Sequence, residues 1–346
     1  MKIIVDVYHP ADVNFYKNAI NIFEKRGIEV ELTVRPRGEL ISILQKELPN
    51  VHFKIIGKYY STISGKIFGY IKRVLELVHY LSKINFDIGT GFGSQICYAS
   101  RFLGKPSVAF QDEYEYKLPF YLSKIAATCY VIPEYIPING KNVYKYRGLK
   151  ELAYLHPKYF KPNKKILERY ELEPNGYVFI RKVANTSLNY RGVIPKFHKI
   201  ISYLKERGFQ IVLSLEDKSL INKYKENCII LEEPVDDIYS LLSFAALTIS
   251  SGDTMARESC LVGTPTIYTG GRIMSVNKEL LEKGCMFKRD NFPEIQNTIN
   301  YIIENDLKKH VKNIIADNIK YRWDDITEKI VESIINVLNN DHNKMI

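Results

Sequence analysis

The 346-residue chain is poor in cysteine, with five thiols (Cys97, Cys129, Cys228, Cys260, Cys285), an odd number and no Cys-x-x-Cys pair. This argues against a disulfide framework or a zinc site and predicts buried, small apolar side chains. No run approaches the roughly 20 apolar residues that cross a bilayer, and no charged-then-apolar leader precedes the strand-like Lys2-Ile3-Ile4-Val5. The expected location is the cytoplasm. The P-loop pattern is missing, and Gly89-Thr90-Gly91-Phe92-Gly93 lacks the GxGxxG spacing of a dinucleotide fingerprint. Those glycines read as a tight strand-to-helix turn. There is neither a DxD pair on a strand-end loop nor a His and carboxylate cluster at ligand spacing, so no metal and no cofactor are expected.

What is present is the composition of a folded soluble protein, 46% hydrophobic and 25% charged, at a length suited to two domains. The net charge of +10 is uneven: residues 1–155 carry 21 Lys and Arg against 14 Asp and Glu, and the remainder 28 against 25. A basic first half suits an anionic acceptor, an anionic membrane surface or nucleic acid, or reflects solvated lysines on helix faces.

Apolar β-branched runs alternate with helical stretches, which signifies parallel sheets covered by helices, an α/β class. Strands are expected near residues 3–8, 30–35, 52–56, 87–90, 107–111 and 129–132, with helices near 13–26, 39–47, 64–83, 95–103 and 118–126. A linker at 155–163 precedes a second series. Its strands fall near 177–181, 210–214, 228–231, 247–250 and 266–268, its helices near 196–207, 219–226, 238–244, 255–262 and 277–283. Three further helices follow, near 293–305, 307–318 and 325–338. The last carries an apolar stripe of Ile326, Ile330, Ile334, Ile335 and Leu338 that needs a partner surface.

In open parallel sheets ligands bind where strand ends lead into helix N-termini. The most informative such junction is Ser250-Ser251-Gly252-Asp253-Thr254-Met255-Ala256-Arg257-Glu258, which returns through Gly263-Thr264-Pro265 into another strand. Small residues at Ser251 and Gly252 let a diphosphate approach the backbone, and the Ser251 and Thr254 hydroxyls can donate to it. Glu258, about one turn further in, can accept from two ribose hydroxyls. The alternative is a structural helix capped by Asp253 or Thr254, with Arg257 and Glu258 solvated.

This run resembles the nucleotide-sugar motif of the GT-B superfamily, above all the MurG-like glycosyltransferases, whose Ser-Gly, ribose-binding Glu and Gly-x-Pro overlie Ser251-Gly252, Glu258 and Gly263-Thr264-Pro265. Residues 233–245 are similar to the segment that meets the nucleobase there, which implies nucleoside contacts from Val235 and Asp236. The His9–Asp12 and Gly252–Glu258 stretches also resemble an uncharacterised archaeal family expected to share the fold. The resemblance implies two Rossmann-like, doubly wound domains facing a central crevice: 1–155 for the acceptor, 156–322 for the nucleotide sugar, and a helix at 323–346 crossing back to the first domain. The implied activity is metal-independent transfer from a nucleoside-diphosphate sugar, with UDP the expected carrier, to an unassigned glycan or lipid-linked acceptor. A peripheral contact with the inner membrane face is open.

Candidate residues follow. His9, in the loop after the first strand, resembles a base for an acceptor hydroxyl, with Asp12 orienting it or capping the next helix. Asp112 and Glu113 end another strand and are acid/base or acceptor-binding candidates, or a surface turn. Arg181, aided by Asn185 and Thr186, can clamp the diphosphate and offset leaving-group charge, or make an ordinary surface ion pair. Gly270, Gly271, Arg272 and Asn277 occupy the region that contacts the donor sugar in similar enzymes. The helix near 64–83 mixes Ile67, Phe68, Ile71 and Leu75 with Lys66, Lys72 and Arg73; it reads as core-packing with extended basic side chains, or as resting on an anionic membrane.

Two rivals remain. UDP-sugar 2-epimerases of the same superfamily carry a His-Arg pair followed by Glu-Asn after the first strand of the second domain, whereas Phe179-Ile180-Arg181-Lys182-Val183-Ala184-Asn185 keeps Arg and Asn without the His. A non-catalytic polyanion or nucleic-acid binder fits the pI near 9.1 but shows no aromatic-basic recognition motif.

Overall fold

The computed structural model describes residues 1–60, 62–184, 197–232 and 234–342, so Asn185, Thr186 and Glu233 lie outside it. The chain divides into two compact units, residues 1–156 with 323–346, and residues 157–322.

The first unit is built on a seven-stranded parallel sheet of order β3-β2-β1-β4-β5-β6-β7. The strands are β1 (Lys2–Val7), β2 (Glu29–Val34), β3 (His52–Ile55), β4 (Ile88–Gly91), β5 (Ser107–Phe110), β6 (Cys129–Pro133) and β7 (Val143–Tyr146). The central ones are buried almost throughout, which is why they read as continuous apolar runs rather than alternating ones. Edge strand β7, with burial confined to Tyr146 and partial at Val143, has no such run, and the sequence does not signal it.

Helix α1 (Pro10–Lys25) starts three residues earlier than the apolar period implies. His9 and Asp12 close a capping box and Pro10 supplies the fixed φ of a first helical position. The other helices of the unit are α2 (Leu40–Glu47), α3 (Ile63–Leu81), α4 (Ser94–Phe102), α5 (Lys117–Ala126) and the short α6 (Leu152–Leu155), which stands at the start of the expected linker. Gly89 allows α4 to lie close on its strand, since a Cβ there would stand 2.3 Å from Ser100 Oγ.

Helix α3 departs from the core-packing reading. Val74 and Leu77 are buried, but Ile67, Phe68, Ile71 and Leu75 are each 57–62% exposed. Arg73 reverses the expectation too: it is fully buried, paired with Asp6 of β1. Periodicity identifies the helix but cannot say which of two apolar stripes is covered.

The second unit has a six-stranded parallel sheet of order β10-β9-β8-β11-β12-β13. Its strands are β8 (Tyr177–Lys182), β9 (Gln210–Leu215), β10 (Ile229–Ile230), β11 (Leu247–Ser250), β12 (Thr266–Tyr268) and β13 (Met286–Lys288). Its helices are α7 (Lys165–Arg169), α8 (Phe197–Glu206), α9 (Ile221–Tyr224), α10 (Ile238–Phe244), α11 (Asp253–Leu261), α12 (Lys278–Glu282), α13 (Phe292–Glu304) and α14 (Leu307–Tyr321). Two apolar clusters cover the sheet, one including Ile180, Leu204, Ile249 and Ile299, the other Phe179, Leu241 and Leu242.

Helix α15 (Ile326–His342) belongs to the first unit, packing on α1 and α6 with Ile326, Ile330, Ile334 and Leu338 buried. Thr327 Oγ1 donates to the Ala153 carbonyl at 2.6 Å, and Asp324 accepts from the Arg147 amide at 2.7 Å and guanidinium at 2.9 Å. Four of the five cysteines are buried and Cys228 is half-buried, all as free thiols. Among the described residues no helix is long and apolar enough to cross a membrane.

Candidate functional site

In the second unit the strand order reverses between β8 and β11, the point at which an open parallel sheet leaves a gap at its carboxyl edge. Arg181 of β8 pairs in register with Ser250 of β11 and with Ser214 of β9. The Arg181 guanidinium donates to Ser214 Oγ at 2.6 Å. Ser214 was not singled out from the sequence, although a polar residue one strand over at the same carboxyl end is a readable signal.

The turn after β11 is held by its own small side chains. Ser250 Oγ accepts from the Gly252 amide at 3.1 Å and donates to the Gly252 carbonyl at 2.7 Å. Ser251 Oγ accepts from the Val183 amide at 2.9 Å and faces the Arg181 carbonyl at 3.3 Å, so its hydroxyl joins the two loops across the gap. Gly252 is the N-cap of α11 and brings no side-chain acceptor to the first-turn amides. A Cβ on Gly252 would stand 3.1 Å from Val183 Cγ1, and one on Gly270 would stand 2.4 Å from the Ser251 carbonyl oxygen. Gly270 therefore lets the loop after β12 lie against the loop after β11. Gly271 beside it is exposed.

The alternative of a capped helix with solvated Arg257 and Glu258 is not what forms. Arg257 is 2% exposed and Glu258 7%. Asp253 lies between two guanidiniums, Arg257 at 3.3 Å and Arg272 at 3.5 Å. Burial pushes its carboxyl up, but the two arginines more than offset that and hold it below the usual range. Arg257 also donates to Asn277 Oδ1 at 3.2 Å and to Thr254 Oγ1 at 3.3 Å. Asn277 thus supports Arg257, and the Thr254 oxygen, accepting from Arg257, keeps its own proton to donate. Glu258 Oε1 accepts from Tyr239 of α10 at 3.1 Å, a contact the sequence reading did not foresee. Val235 is half-buried against the apolar cluster of α10, and Asp236 forms an exposed ion pair with Arg169.

In the first unit a second set of polar groups gathers at the carboxyl ends of β1, β2, β4 and β5. His9 Nδ1 accepts from the Ala11 amide at 3.2 Å. A ring nitrogen that accepts carries no proton, so the neutral ring keeps its proton on Nε2 and presents a donor there. Asp12 Oδ2 accepts from the Tyr8 and His9 amides at 3.1 and 2.9 Å. Asp12 thus caps and fixes the backbone of His9 rather than orienting its ring.

Asp112 is 2% exposed and bonded at 3.0 Å to Lys150, whose ammonium also lies 5.1 Å from the Phe92 ring centroid. The expected pair of open carboxylates is therefore one neutralised Asp112 and one half-buried Glu113. The Gln111 side chain accepts from the Asp112 and Glu113 amides and shapes this turn. Lys150, about forty residues further along the chain, gave no local signal.

Burial raises the Asp12 carboxyl to about 7, against the lowering effects of the Tyr8 amide, Lys150 and the His9 amide. Its unfolded counterpart ionises near 3.8, so between these values the folded state binds more protons. The stabilisation is complete below about pH 4 and is lost as pH rises through 7. Asp12→Asn keeps an oxygen for the two amides and removes the titration. Relative to wild type it should gain stability from pH 5 to pH 8, by up to about 3 kcal/mol. Parallel melting curves across that range would show that Asp12 does not titrate there.

A shallow depression between β13 and α13 is a weaker candidate. Its Arg289 already donates to Thr298 Oγ1 at 2.8 Å and to the Lys288 carbonyl at 2.7 Å.

Two parallel sheets of this order, each with polar groups at its reversal point, give the chain a GT-B fold. The family described as "Protein of unknown function (DUF354)" matches residues 1–339, and the chain belongs to it. The uncharacterized protein MJ0665 of Methanocaldococcus jannaschii is 28% identical over 328 residues, covering 87% of this chain and 90% of its own. Among solved structures, MurG of Acinetobacter baumannii is similar at a TM-score of 0.61 and 13% identity, covering 97% of this chain and 100% of that one. The UDP-GlcNAc 2-epimerase of Neisseria meningitidis bound to UDP-GlcNAc is similar at a TM-score of 0.64 and 13% identity, with the same coverage. At these identities the likeness is one of fold.

Proposed function

We propose that the protein is a metal-independent glycosyltransferase that binds a nucleoside-diphosphate sugar, with UDP as carrier, on its second unit and an acceptor on its first. The observation carrying this reading is the α11 N-terminus, which has no side-chain cap, with Arg181 on the adjacent strand and a buried Glu258 held by Tyr239 one turn in. Amides, helix dipole and Arg181 suit a diphosphate, and Glu258 suits a ribose diol. These groups also offset the charge that develops on the departing diphosphate, the task that a metal ion would otherwise perform. Gly271 and Arg272 are the proposed contacts to the donor sugar, and Val235 with Asp236 those to the base. The acceptor is assigned to the first unit, where His9 offers an Nε2 donor and the half-buried Glu113 a carboxylate able to take the acceptor proton.

The test is a thermal-shift panel of UDP-, GDP-, ADP- and dTDP-sugars in EDTA, in which UDP-sugars alone should raise the melting temperature. No shift with any of them would end the reading. Glu258→Ala should weaken UDP binding by about 1–3 kcal/mol while the chain stays folded. Unchanged binding by calorimetry would remove Glu258 from the site.

Epimerisation is the second reading, favoured by the fold likeness to the Neisseria enzyme. Conversion of UDP-GlcNAc to its 2-epimer without any acceptor would establish it. A cytoplasmic protein with a peripheral membrane contact and a lipid-linked acceptor is also proposed. Support comes from Ile67, Phe68, Ile71 and Leu75, exposed on α3 beside Lys66 and Lys72. Failure to sediment with phosphatidylglycerol vesicles would exclude that contact.

A further inference from the structure

The buried Arg73 and the half-buried Lys150 and Lys2 of the first unit sit against carboxylates: Arg73 against Asp6, Lys150 against Asp112, and Lys2 against Glu31. Arg35 does not. It is the first residue after β2, its amide donates to the Val7 carbonyl at 3.0 Å, and this places it beside the exit of β1. Its side chain is half-buried, and Nε is enclosed with no hydrogen-bond partner. No Asp or Glu lies within ion-pair distance of it among the described residues. Burial lowers its affinity for the proton and Arg73 lowers it further, while Tyr8 and Asp6, whose carboxylate already carries the bidentate Arg73, offset only part of this.

The guanidinium is instead stacked on a ring, 5.1 Å from the Tyr8 centroid, and Arg37 lies 5.4 Å from the Tyr59 centroid. Tyr8 also borders the start of α4: a Cβ on its N-cap, Gly93, would be 3.0 Å from Tyr8 Cε1. That helix start also lacks a side-chain cap. Leaving a cation partly desolvated and unpaired costs stability, whereas a planar guanidinium held on an aromatic face is already oriented to grip an oxyanion with two parallel hydrogen bonds.

We propose that Arg35, with Arg37 and the α4 N-terminus beside Tyr8, forms an oxyanion site in the first unit that holds a phosphate group of the acceptor. The assignment to an acceptor rests on the transferase reading, but the site itself does not. A phosphate has the tetrahedral oxygens and the charge of up to two that two arginines and a helix start can share, and it can arrive free or on a lipid or sugar.

The experiment titrates the full chain with inorganic pyrophosphate, and separately with farnesyl diphosphate, at constant ionic strength and in saturating UDP, which fills the diphosphate site of the second unit. It compares wild type, Arg35→Gln and Arg37→Gln. UDP is titrated in parallel to read the second unit on its own. Arg35→Gln should raise the pyrophosphate Kd at least tenfold and Arg37→Gln by less, with UDP affinity unchanged. Because the cation is unpaired, Arg35→Gln without ligand should melt no lower than wild type. Farnesyl diphosphate binding tenfold tighter than pyrophosphate assigns a lipid-linked acceptor, and equal affinity assigns a site for the phosphate alone. Pyrophosphate binding that is absent in wild type, or unchanged in Arg35→Gln, overturns the proposal. So does a clear loss of melting temperature in unliganded Arg35→Gln, which would reveal a structural pairing, for instance with Glu113. Loss of UDP binding alone would overturn the nucleotide reading and leave this site standing.

Discussion

Replacing Arg73 with alanine is expected to destabilise the first unit by about 3–5 kcal/mol, the cost of leaving a buried carboxylate without its counter-ion. Asp6 is 0% and Arg73 1% exposed, and they are joined by two hydrogen bonds of 2.9 and 2.6 Å. Arg73 also donates to the Ile56 carbonyl at 3.0 Å and to Gln95 Oε1 at 2.9 Å, so one side chain ties α3 to β1, to the end of β3 and to α4. After truncation the Thr33 hydroxyl, at 2.7 Å, is what remains on Asp6. The double variant Asp6→Leu, Arg73→Met removes both charges and should recover much of the loss. The single tryptophan, Trp323, is buried in this unit against Gly148, so its fluorescence reports urea unfolding here. A midpoint unmoved in Arg73→Ala would mean that Asp6 is neutral or reached by water.

Ending the chain after Arg322 should do more. It removes α15, whose Ile326, Ile330 and Ile334 are 0% exposed and whose Val331 and Leu338 are at most 4%. Each such side chain contributes about 1.5–3 kcal/mol by burial, and α1 would lose the surface that it packs against. For these five the total, about 8–15 kcal/mol, is as large as the roughly 5–15 kcal/mol that holds a typical domain together, so the first unit should unfold. The second unit ends at Arg322 and keeps its own clusters, so its hydrogen-exchange protection and UDP binding should persist. Native protection of residues 1–156 in the truncated chain would refute a structural role for α15. Loss of UDP binding as well would show that the units do not fold separately.

Much of the architecture was legible in the sequence. Parallel strands buried on both faces must be written as apolar runs, and helices between them as amphipathic periods, so two sheets could be read directly, while the GT-B expectation came from the resemblance carried by residues 251–265. The same pattern placed Leu247–Ser250, Thr266–Tyr268 and Ile238–Phe244 at their observed bounds. Strand β7 and helix α6 were missed because edge strands and single turns bury too little to impose a period. The junction at Ser251–Glu258 was readable because a tight turn into a helix needs small residues at fixed spacing, a constraint local to the chain.

Only the tertiary structure decided which charges are neutralised and which are left alone. Lys150 on Asp112, Arg73 on Asp6, Arg257 and Arg272 on Asp253, and Tyr239 on Glu258 are pairings between elements 19 to 67 residues apart or between successive turns of one helix. In the sequence these are scattered charges, and Arg35 looks no different from its neighbours. Burial and long-range pairing are properties of the packed chain, because they depend on which faces meet. The sequence alone determined the sheets, the turns and the position of a helix start able to receive an anion. Packing decided that Asp112 is spoken for, that Arg35 is not, and that Ile67, Phe68, Ile71 and Leu75 of α3 are left facing solvent.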